Sequence, residues 1–322
     1  MAELPGHRLD PEEPMTFTRT ASRALAAMAV TATAAVLPAA NTASAEPVSC
    51  PQWTRHTVAA GYGILENLGF DGRGNLLLAE QSATGSTGSL QRLGADGARS
   101  VAVDGIDGPG AILVVGDSAY FTTGNTATAA LSGRTDGTIG ALHLTDGTVT
   151  TVATGLTMPN GLAQLPNGDF VVSRDIGAGT LTRVTADNIA TPYAPSLSST
   201  NGLAFDRQRH RLIVSTTFDP TSVIAAVDYA DPDSPPRQAV IPGAGPLNSA
   251  DDLTVGPDGK VYVALNVAGS IQQVDMDTGQ TCAIATGLPL SSSARFGSGP
   301  GWDPNALYVT SFLGTVTKLT PP

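Results

Sequence analysis

Short apolar runs recur along the chain, separated by turns that are rich in Gly, Asn, Asp and Pro. Runs of about four to eight residues with such boundaries predict antiparallel β-strands. The runs group into units of four predicted strands, for example Gly161–Leu165, Phe170–Ser173, Gly179–Val184 and Ile189–Tyr193. A later unit repeats the order as Leu253–Val255, Val261–Leu265, Ser270–Val274 and Thr281–Ala285. The pattern therefore predicts a repeated all-β fold.

One short sequence phrase opens each unit. Counting ten residues back from each apolar run, with one inserted residue in the fourth unit, gives six matched positions: Glu66, Gly110, Asn160, Asn201, Asp251 and Gly297. They are separated by 44, 50, 41, 50 and 46 residues, a period typical of a β-propeller when the units are made of strands. The last unit lacks a strand, and Trp53–Ala59 precedes the first unit without a partner. Because joining the two closes the ring and removes exposed edges, we predict a six-bladed β-propeller completed by an N-terminal strand.

The first 45 residues have the composition of a leader. Met15 is the expected true start, Arg19 and Arg23 precede a small apolar stretch, and Ala43-Ser44-Ala45 forms a cleavage site. A membrane anchor is the alternative, but the stretch is rich in Ala and Thr and shorter than the roughly 20 residues that span a bilayer. We expect a secreted protein whose single domain covers residues 46–322.

The formal net charge of −11 argues against nucleic acid or an anionic membrane as partner, since both require basic surface. A monomer that acts on a small molecule is expected. Only Cys50 and Cys282 are present, and a disulfide is the expected state in an exported protein. Lipid modification of Cys50 and two free thiols are the alternatives.

Four of the six matched positions carry a side-chain oxygen: Glu66, Asn160, Asn201 and Asp251. An Asn-Gly pair is also a turn signal, but in the third unit Asn167-Gly168 already supplies the hairpin turn. In a propeller, matched positions converge on the axis, which predicts one shared metal site. An oxygen-only set favours a hard cation, so Ca²⁺ is expected, with Mg²⁺, Mn²⁺ and Zn²⁺ as alternatives.

From about Trp53 onward the chain resembles the senescence-marker-protein/gluconolactonase family, six-bladed propellers related to calcium-dependent phosphotriesterases and paraoxonases. The resemblance rests on Glu66 in ENLGFD, Asn160 in PNGLA, Asn201 in TNGLAFD and Asp251 in ADDLTVGPDGK. It implies lactone hydrolysis, with the metal polarising the carbonyl group and Asp251 as the base. Family members often have EGP where this chain has Glu66-Asn67-Leu68, and DG where it has Asp251-Asp252.

Other assignments remain open at this point. Water activated by the metal is the alternative to Asp251 as base, and Asp252 is a further candidate. Candidates for the mouth or the rim of the site are Asn125, Arg174, Asp175 and Asn266. An exposed ion pair is the alternative for Arg174-Asp175, and none of the four is assigned to the site. His56, His143 and His210 are interpreted as packed or surface residues. Two rival functions are a strictosidine-synthase-like enzyme and a non-catalytic secreted propeller with a structural ion, because propellers host many functions.

Overall fold

The structure, a computed structural model, describes residues 49–82, 87–174, 176 and 180–322. These residues belong to one compact unit, Glu46–Pro322. The predicted leader, residues 1–45, lies outside the described residues. Within the described ranges, no helix combines the length and the apolar character needed to cross a membrane.

Strands account for nearly all regular structure in the described residues. In chain order they are β1 (Thr54–Ala59), β2 (Ile64–Phe70), β3 (Asn75–Gln81), β4 (Gly88–Gly94), β5 (Arg99–Ile106), β6 (Ile112–Val115), β7 (Ser118–Thr123), β8 (Gly137–His143), β9 (Val149–Leu156), β10 (Leu162–Gln164), β11 (Phe170–Ser173), β12 (Leu181–Val184), β13 (Ala190–Pro192), β14 (Thr200–Asp206), β15 (Arg211–Thr216), β16 (Val223–Asp228), β17 (Arg237–Val240), β18 (Ala250–Val255), β19 (Val261–Leu265), β20 (Ser270–Val274), β21 (Thr281–Thr286), β22 (Ser291–Phe296), β23 (Leu307–Ser311) and β24 (Thr315–Thr320). Two short helices, α1 (Ala127–Ser132) and α2 (Gly245–Asn248), lie in connections between strands.

The strands form six antiparallel sheets of four, which are the six blades. Blades one to five each use four consecutive strands, beginning with β2, β6, β10, β14 and β18. Blade six has the order β1-β24-β23-β22, so the first strand of the described chain pairs with the last, and Thr54 lies opposite Thr320. The inner strands contact one another in chain order, and β22 contacts β2. The predicted six-bladed propeller, closed by an N-terminal strand, is confirmed.

The hydrophobic core lies between neighbouring blades. Both faces of a blade are covered by its neighbours, which explains continuous apolar runs such as Leu76, Leu77 and Leu78, all fully buried. One cluster joins Leu68 and Leu76 of blade one to Trp302 and other residues of blade six. Packing across the blade interfaces therefore holds the ring together.

A disulfide joins Cys50 to Cys282 on β21, with a Cα–Cα distance of 5.6 Å. The segment before β1 also follows the outer strand of blade five, since Trp53 N donates to Ile284 O at 2.8 Å. The Arg55 guanidinium continues this contact by donating to Thr286 O at 2.7 Å. The expected disulfide is therefore present, and the structure excludes the alternatives of two free thiols and a lipid-modified Cys50.

Candidate functional site

All six inner strands begin at one face of the ring, which we call the upper face. Near that start, four of them carry a β-bulge, because the pairing shifts between Leu65 and Asn67 and at the corresponding points of β14, β18 and β22. The residues placed at these bulges are Glu66, Asn201, Asp251 and Ser292. A bulge re-aims side chains and is frequent beside active sites. The bulges thus set one layer of side chains around the axis.

Blades two and three complete this layer with residues that precede the inner strand, so no bulge interrupts the strand pairing there. Gly110 N donates to Thr122 O at 3.1 Å and Asn160 N donates to Ser173 O at 2.9 Å, just before β6 and β10 begin. Asn160 therefore occupies the position that Glu66 has in blade one. Among the described residues, the structure brings Glu66, Asn160, Asn201 and Asp251 to equivalent positions of the ring, as the repeat predicted.

The sixth matched position was predicted wrongly. Gly297 follows β22, and the residue equivalent to Glu66 in blade six is Ser292. Counting ten residues back from Leu307 assumes that the first hairpin has the same length in every blade. The connection between β22 and β23 is longer than the corresponding connections of the other blades. This extension places Trp302 against Phe70 of blade one, with ring centroids 5.3 Å apart. Blade six thus contributes a hydroxyl group to the site layer.

A hydroxyl relay connects consecutive blades behind the site layer. Gly161 N donates to Ser173 Oγ at 2.7 Å, and this hydroxyl donates to the Asn201 carbonyl oxygen. The same pattern recurs at Thr122, which links Ala111 N to Asn160 O, and at Ser215, which links Gly202 N to Asp251 O. The relay fixes the backbones of Asn160, Asn201 and Asp251 to the blades that precede them.

The relay also explains why glycine follows each asparagine. A Cβ atom at Gly161 or Gly202 would overlap backbone of the next blade, so close approach between blades requires glycine there. Neither residue has a positive φ, and Asn201-Gly202 lies inside β14. These pairs therefore do not form hairpin turns, and they stand at the beginning of the inner strands.

The site side chains are buried, with only 4–6% of Glu66, Asn160, Asn201 and Asp251 exposed. Ser292 lies between the two acidic residues, since its Oγ is 2.9 Å from Asp251 Oδ2 and 2.7 Å from Glu66 O. The two carboxylate-bearing strands are thus joined through one hydroxyl group.

Two of the candidate mouth residues contact the acidic side chains. Asn125 Nδ2 donates to Glu66 Oε1, and Asn266 Nδ2 donates to Asp251 Oδ2, each at 3.3 Å. Arg174 follows β11 at the same face, and Asp175 lies outside the described residues. The amide groups of Asn125 and Asn266 hold the carboxylates of blades one and five in place.

Asn201 is the exception in this well-paired layer. Its Oδ1 is buried and has no hydrogen-bond partner in the described part of the chain. An unpaired buried acceptor costs roughly 1–3 kcal/mol and calls for a partner from outside the protein. The described residues contain no group of three or more His, Cys, Asp or Glu able to hold a metal. A cation in this layer therefore needs amide oxygens beside its two carboxylates, and Asn201 Oδ1 fits that requirement.

A second polar group lies one residue further along the inner strands, below the site layer. Asp252 Oδ2 accepts from Asn67 Nδ2 at 2.8 Å, from Ser293 Oγ at 2.5 Å, and from Arg295 Nη2 at 2.7 Å. We call Asn67, Asp252, Ser293 and Arg295 the lower cluster. Because its acceptor is occupied by three donors, Asp252 acts here as a structural anchor.

The lower cluster replaces the hydroxyl relay where the relay is missing. The second strands of blades one and five carry Ala79 and Ala264 opposite their bulges, so no hydroxyl is available there. Instead, Asn67 Oδ1 accepts from Leu68 N at 2.9 Å and from Ile112 N at 3.2 Å. Sequence reasoning missed this cluster, although Asn67 and Asp252 both stand where members of the resembled family often have Gly.

The histidines lie away from the hub. His56 is on the outer strand β1 opposite Lys318, His143 ends β8, and His210 is in the β14–β15 turn. The interpretation of these histidines as surface or packed residues agrees with their positions, and none of the described ones reaches the site layer.

Comparison with known families addresses the resemblance directly. Residues 168–312 match the family described as SMP-30/Gluconolactonase/LRE-like region. This match covers just under half of the chain and supports the resemblance to the SMP-30/gluconolactonase family. A comparison of the sequence with curated proteins found no match.

Solved structures of similar shape share the propeller fold. A gluconolactonase from Xanthomonas campestris has a TM-score of 0.64 and 17% identity, over 84% of this chain and 90% of that one. A luciferin-regenerating enzyme has a TM-score of 0.60 and 15% identity, over 83% and 95%. Virginiamycin B lyase from Staphylococcus aureus has a TM-score of 0.56 and 12% identity, over 84% and 99%. At such identities the likeness shows the fold, and the differing activities in these descriptions leave the reaction to the site residues.

Proposed function

We propose that the protein is a hydrolase that opens a lactone or a related ester with the help of one divalent cation, Ca²⁺. The match of residues 168–312 to the SMP-30/gluconolactonase family and the gluconolactonase activity in the description of the Xanthomonas campestris protein support this reaction class. The observation that carries the proposal is the unpaired, buried Asn201 Oδ1 in a ring layer that also holds Glu66, Asn160 and Asp251.

The donor set suits a hard cation. Glu66, Asn160, Asn201 and Asp251 would hold it: two carboxylates balance its charge and two amide oxygens add neutral ligands. Ca²⁺ takes six to eight oxygen ligands, so four protein ligands leave positions for water and substrate. When bound, the cation would supply Lewis-acid polarisation of the substrate carbonyl group.

Asp251 is the proposed general base. Its Oδ2 accepts from Ser292 Oγ and Asn266 Nδ2, which fixes the orientation of the carboxylate. In the proposed reaction, Asp251 takes a proton from the attacking water as the new C–O bond forms at the carbonyl carbon. The same proton then passes to the ring or alkoxy oxygen as its bond to that carbon breaks. Asp252, held by the lower cluster, is excluded from this role in the proposal.

The test is a panel of lactones and aryl esters with purified residues 46–322, assayed with added Ca²⁺ and with chelator. We expect turnover that requires Ca²⁺, and direct binding of Ca²⁺ by calorimetry. Asp251→Ala should abolish turnover, whereas Asp187→Ala in the exposed β12–β13 turn should match the wild type. Mg²⁺, Mn²⁺ and Zn²⁺ serve as competing cations in the same assay.

The possible outcomes separate the rival functions. Turnover that survives chelation, together with an active Asp251→Ala variant, contradicts the proposal. Ca²⁺ binding without turnover of any substrate favours a non-catalytic propeller. If Asp251→Asn keeps Ca²⁺ affinity and loses turnover, the base is Asp251; if both are kept, the cation alone activates water.

We also propose that the protein is exported and acts as a monomer. The disulfide between Cys50 and Cys282 supports an oxidising compartment. Mass spectrometry of the mature protein should find Glu46 as its first residue, and size-exclusion chromatography with light scattering should give one chain per particle.

A further inference from the structure

The two faces of the ring differ in their connections. Within an antiparallel blade, the second strand returns the chain to the upper face. The connection between the second and third strands therefore lies on that face, and so does the connection from the fourth, outer strand to the next blade. The first hairpin of each blade and the hairpin before each outer strand lie on the opposite, lower face. The site layer, at the start of the inner strands, opens towards the upper face.

Exposed apolar side chains are concentrated on the upper connections of blades four to six. Phe218, Val267, Leu290 and Leu313 are 51%, 56%, 36% and 57% exposed, and we call these four residues the apolar rim. Leu131, Ile176 and Leu247 are exposed on upper connections of blades two to four. The remaining large exposed hydrophobic residues in the described chain lie on or directly beside outer strands: Val58, Val101, Val149, Ile189 and Val240.

Hydrogen bonds attach the apolar rim to the site. Asn266, whose side chain contacts Asp251, accepts at its backbone oxygen from Leu290 N at 3.1 Å, and Leu290 O accepts from Phe312 N at 3.0 Å. Val267 and Leu313 are the residues next to Asn266 and Phe312. Val267 thus adjoins a residue that contacts the proposed base directly, and Leu290 and Leu313 are linked to that residue through consecutive backbone hydrogen bonds.

Phe218 is attached to the same region from blade four. Thr217 Oγ1 donates to Ala250 O, directly before Asp251, and Phe218 N donates to Ser199 Oγ, both at 2.8 Å. Ser199 precedes the strand that bears Asn201. Phe218 thus stands between the site residues of blades four and five.

Charge is nearly absent from this part of the upper face. The connections 217–222, 242–249, 266–269, 287–290 and 312–314 contain a single charged residue, Asp219. Its carboxylate accepts from Ser198 Oγ at 3.0 Å. Clustered exposed apolar side chains at the mouth of a polar site mark a ligand surface. The Arg55 guanidinium also reaches this face, where it donates to Thr286 O and Gly287 O. A polyhydroxylated or anionic ligand would therefore find few donors among these connections.

We propose that the substrate carries an apolar chain or ring that lies on the apolar rim while its ester group reaches the site layer. The substrate class is then a lactone with an alkyl side chain, or an ester of an aliphatic or aromatic group, in preference to a sugar lactone. This inference rests on the proposed hydrolase function, and it adds the part of the substrate that is recognised.

The experiment compares γ-lactones whose side chains grow from methyl to octyl, with δ-gluconolactone as the polar reference, all at saturating Ca²⁺. Each methylene buried on the rim should raise kcat/KM up to roughly fourfold, from the transfer free energy of one CH₂ group. The double variant Val267→Ser/Leu313→Ser should flatten this dependence on chain length. Val101→Ser, on outer strand β5 with 52% exposure, is the matched control and should keep it.

Two failures can be told apart. If lactones are hydrolysed with Ca²⁺ but kcat/KM is independent of chain length, or if δ-gluconolactone is the best substrate, the rim assignment is overturned and the hydrolase proposal stands. If no lactone or ester is hydrolysed, the hydrolase proposal is wrong, and the rim assignment, which depends on it, is wrong as well. An equal loss in Val101→Ser would also overturn the assignment, because the effect would then be unrelated to the mouth.

Discussion

Replacing Asp252 with alanine tests whether the lower cluster supports the hub. The carboxylate is 5% exposed and accepts from three donors, one of them the Arg295 guanidinium, which is 20% exposed. Removing one partner of a buried ion pair costs about 3–5 kcal/mol. Arg295 keeps two acceptors, Leu253 O at 2.6 Å and Ala294 O at 2.9 Å, so we expect the lower end, about 3 kcal/mol. Asp252→Asn retains an acceptor without its charge and should cost about 1–2 kcal/mol.

The assay is guanidinium-induced unfolding without reductant, combined with a double-mutant cycle. Asn67→Ala removes the acceptor of two buried backbone N–H groups and one donor to Asp252. The coupling energy of Asn67→Ala and Asp252→Ala should be about 1–2 kcal/mol, since the side chains are in direct contact. Asp187→Ala, an exposed turn residue, should stay within about 0.5 kcal/mol of the wild type.

The same variants connect the cluster to the site. Asn67 and Asp252 directly follow Glu66 and Asp251 in their bulges, so loss of the cluster should weaken Ca²⁺ binding by about tenfold or more, as with outer partners of metal ligands elsewhere. A cost of Asp252→Ala below about 1 kcal/mol, or strictly additive single variants, would refute the reasoning.

Three further predictions follow from single features. Replacing Cys50 and Cys282 by serine should lower the free energy of unfolding by up to about 5 kcal/mol, because the bridge closes a loop of 232 residues in sequence; calorimetry under non-reducing conditions measures it. Asn201→Leu should lower the free energy of unfolding by about 1 kcal/mol or less in chelator, since Asn201 Oδ1 has no partner to lose. At Ca²⁺ concentrations 100 times Kd the wild type should gain roughly 2.7 kcal/mol of stability, and the variant should lose this gain. An unchanged effect of Ca²⁺ on the unfolding of the variant would contradict the site. Burial raises the pKa of Tyr193 to about 12, so stability present below pH 10 should be lost as the pH rises from 10 to 12. Tyr193→Phe removes an unpaired buried hydroxyl, so it should reduce this loss without lowering stability at pH 7. Tyr262→Phe is the comparison and should lower stability at pH 7, because it breaks hydrogen bonds to Asp258 and Gln273.

The ring was predictable because its signal is repeated. Six units carry the same order of apolar runs, so errors in one strand boundary do not change the count, and the unpaired Trp53–Ala59 pointed to the closing strand. The same repetition brought Glu66, Asn160, Asn201 and Asp251 into one register. Their proposed role as cation ligands stays a prediction.

The parts that were missed depend on contacts distant in sequence. Ser292 was hidden because the hairpin that carries Trp302 is longer than its counterparts. Trp302 itself packs against Phe70, which is distant in sequence. The bulges that aim the site residues leave no mark in a period-two pattern. The lower cluster joins Asn67 to the carboxylate of Asp252, 185 residues away. Its only sign in the sequence was that these two positions are polar, where members of the resembled family often have Gly.

Pairing of β1 with β24 has a consequence for how the protein is made. The first and last strands of the described chain are partners, so the final sheet forms only after synthesis has passed β24. A nascent or truncated chain that lacks Thr315–Thr320 leaves both β1 and β23 with open edges, and such edges invite association with other chains. Closure of the ring thereby depends on both β1 and β24, and a chain that lacks either strand keeps an unpaired edge in blade six.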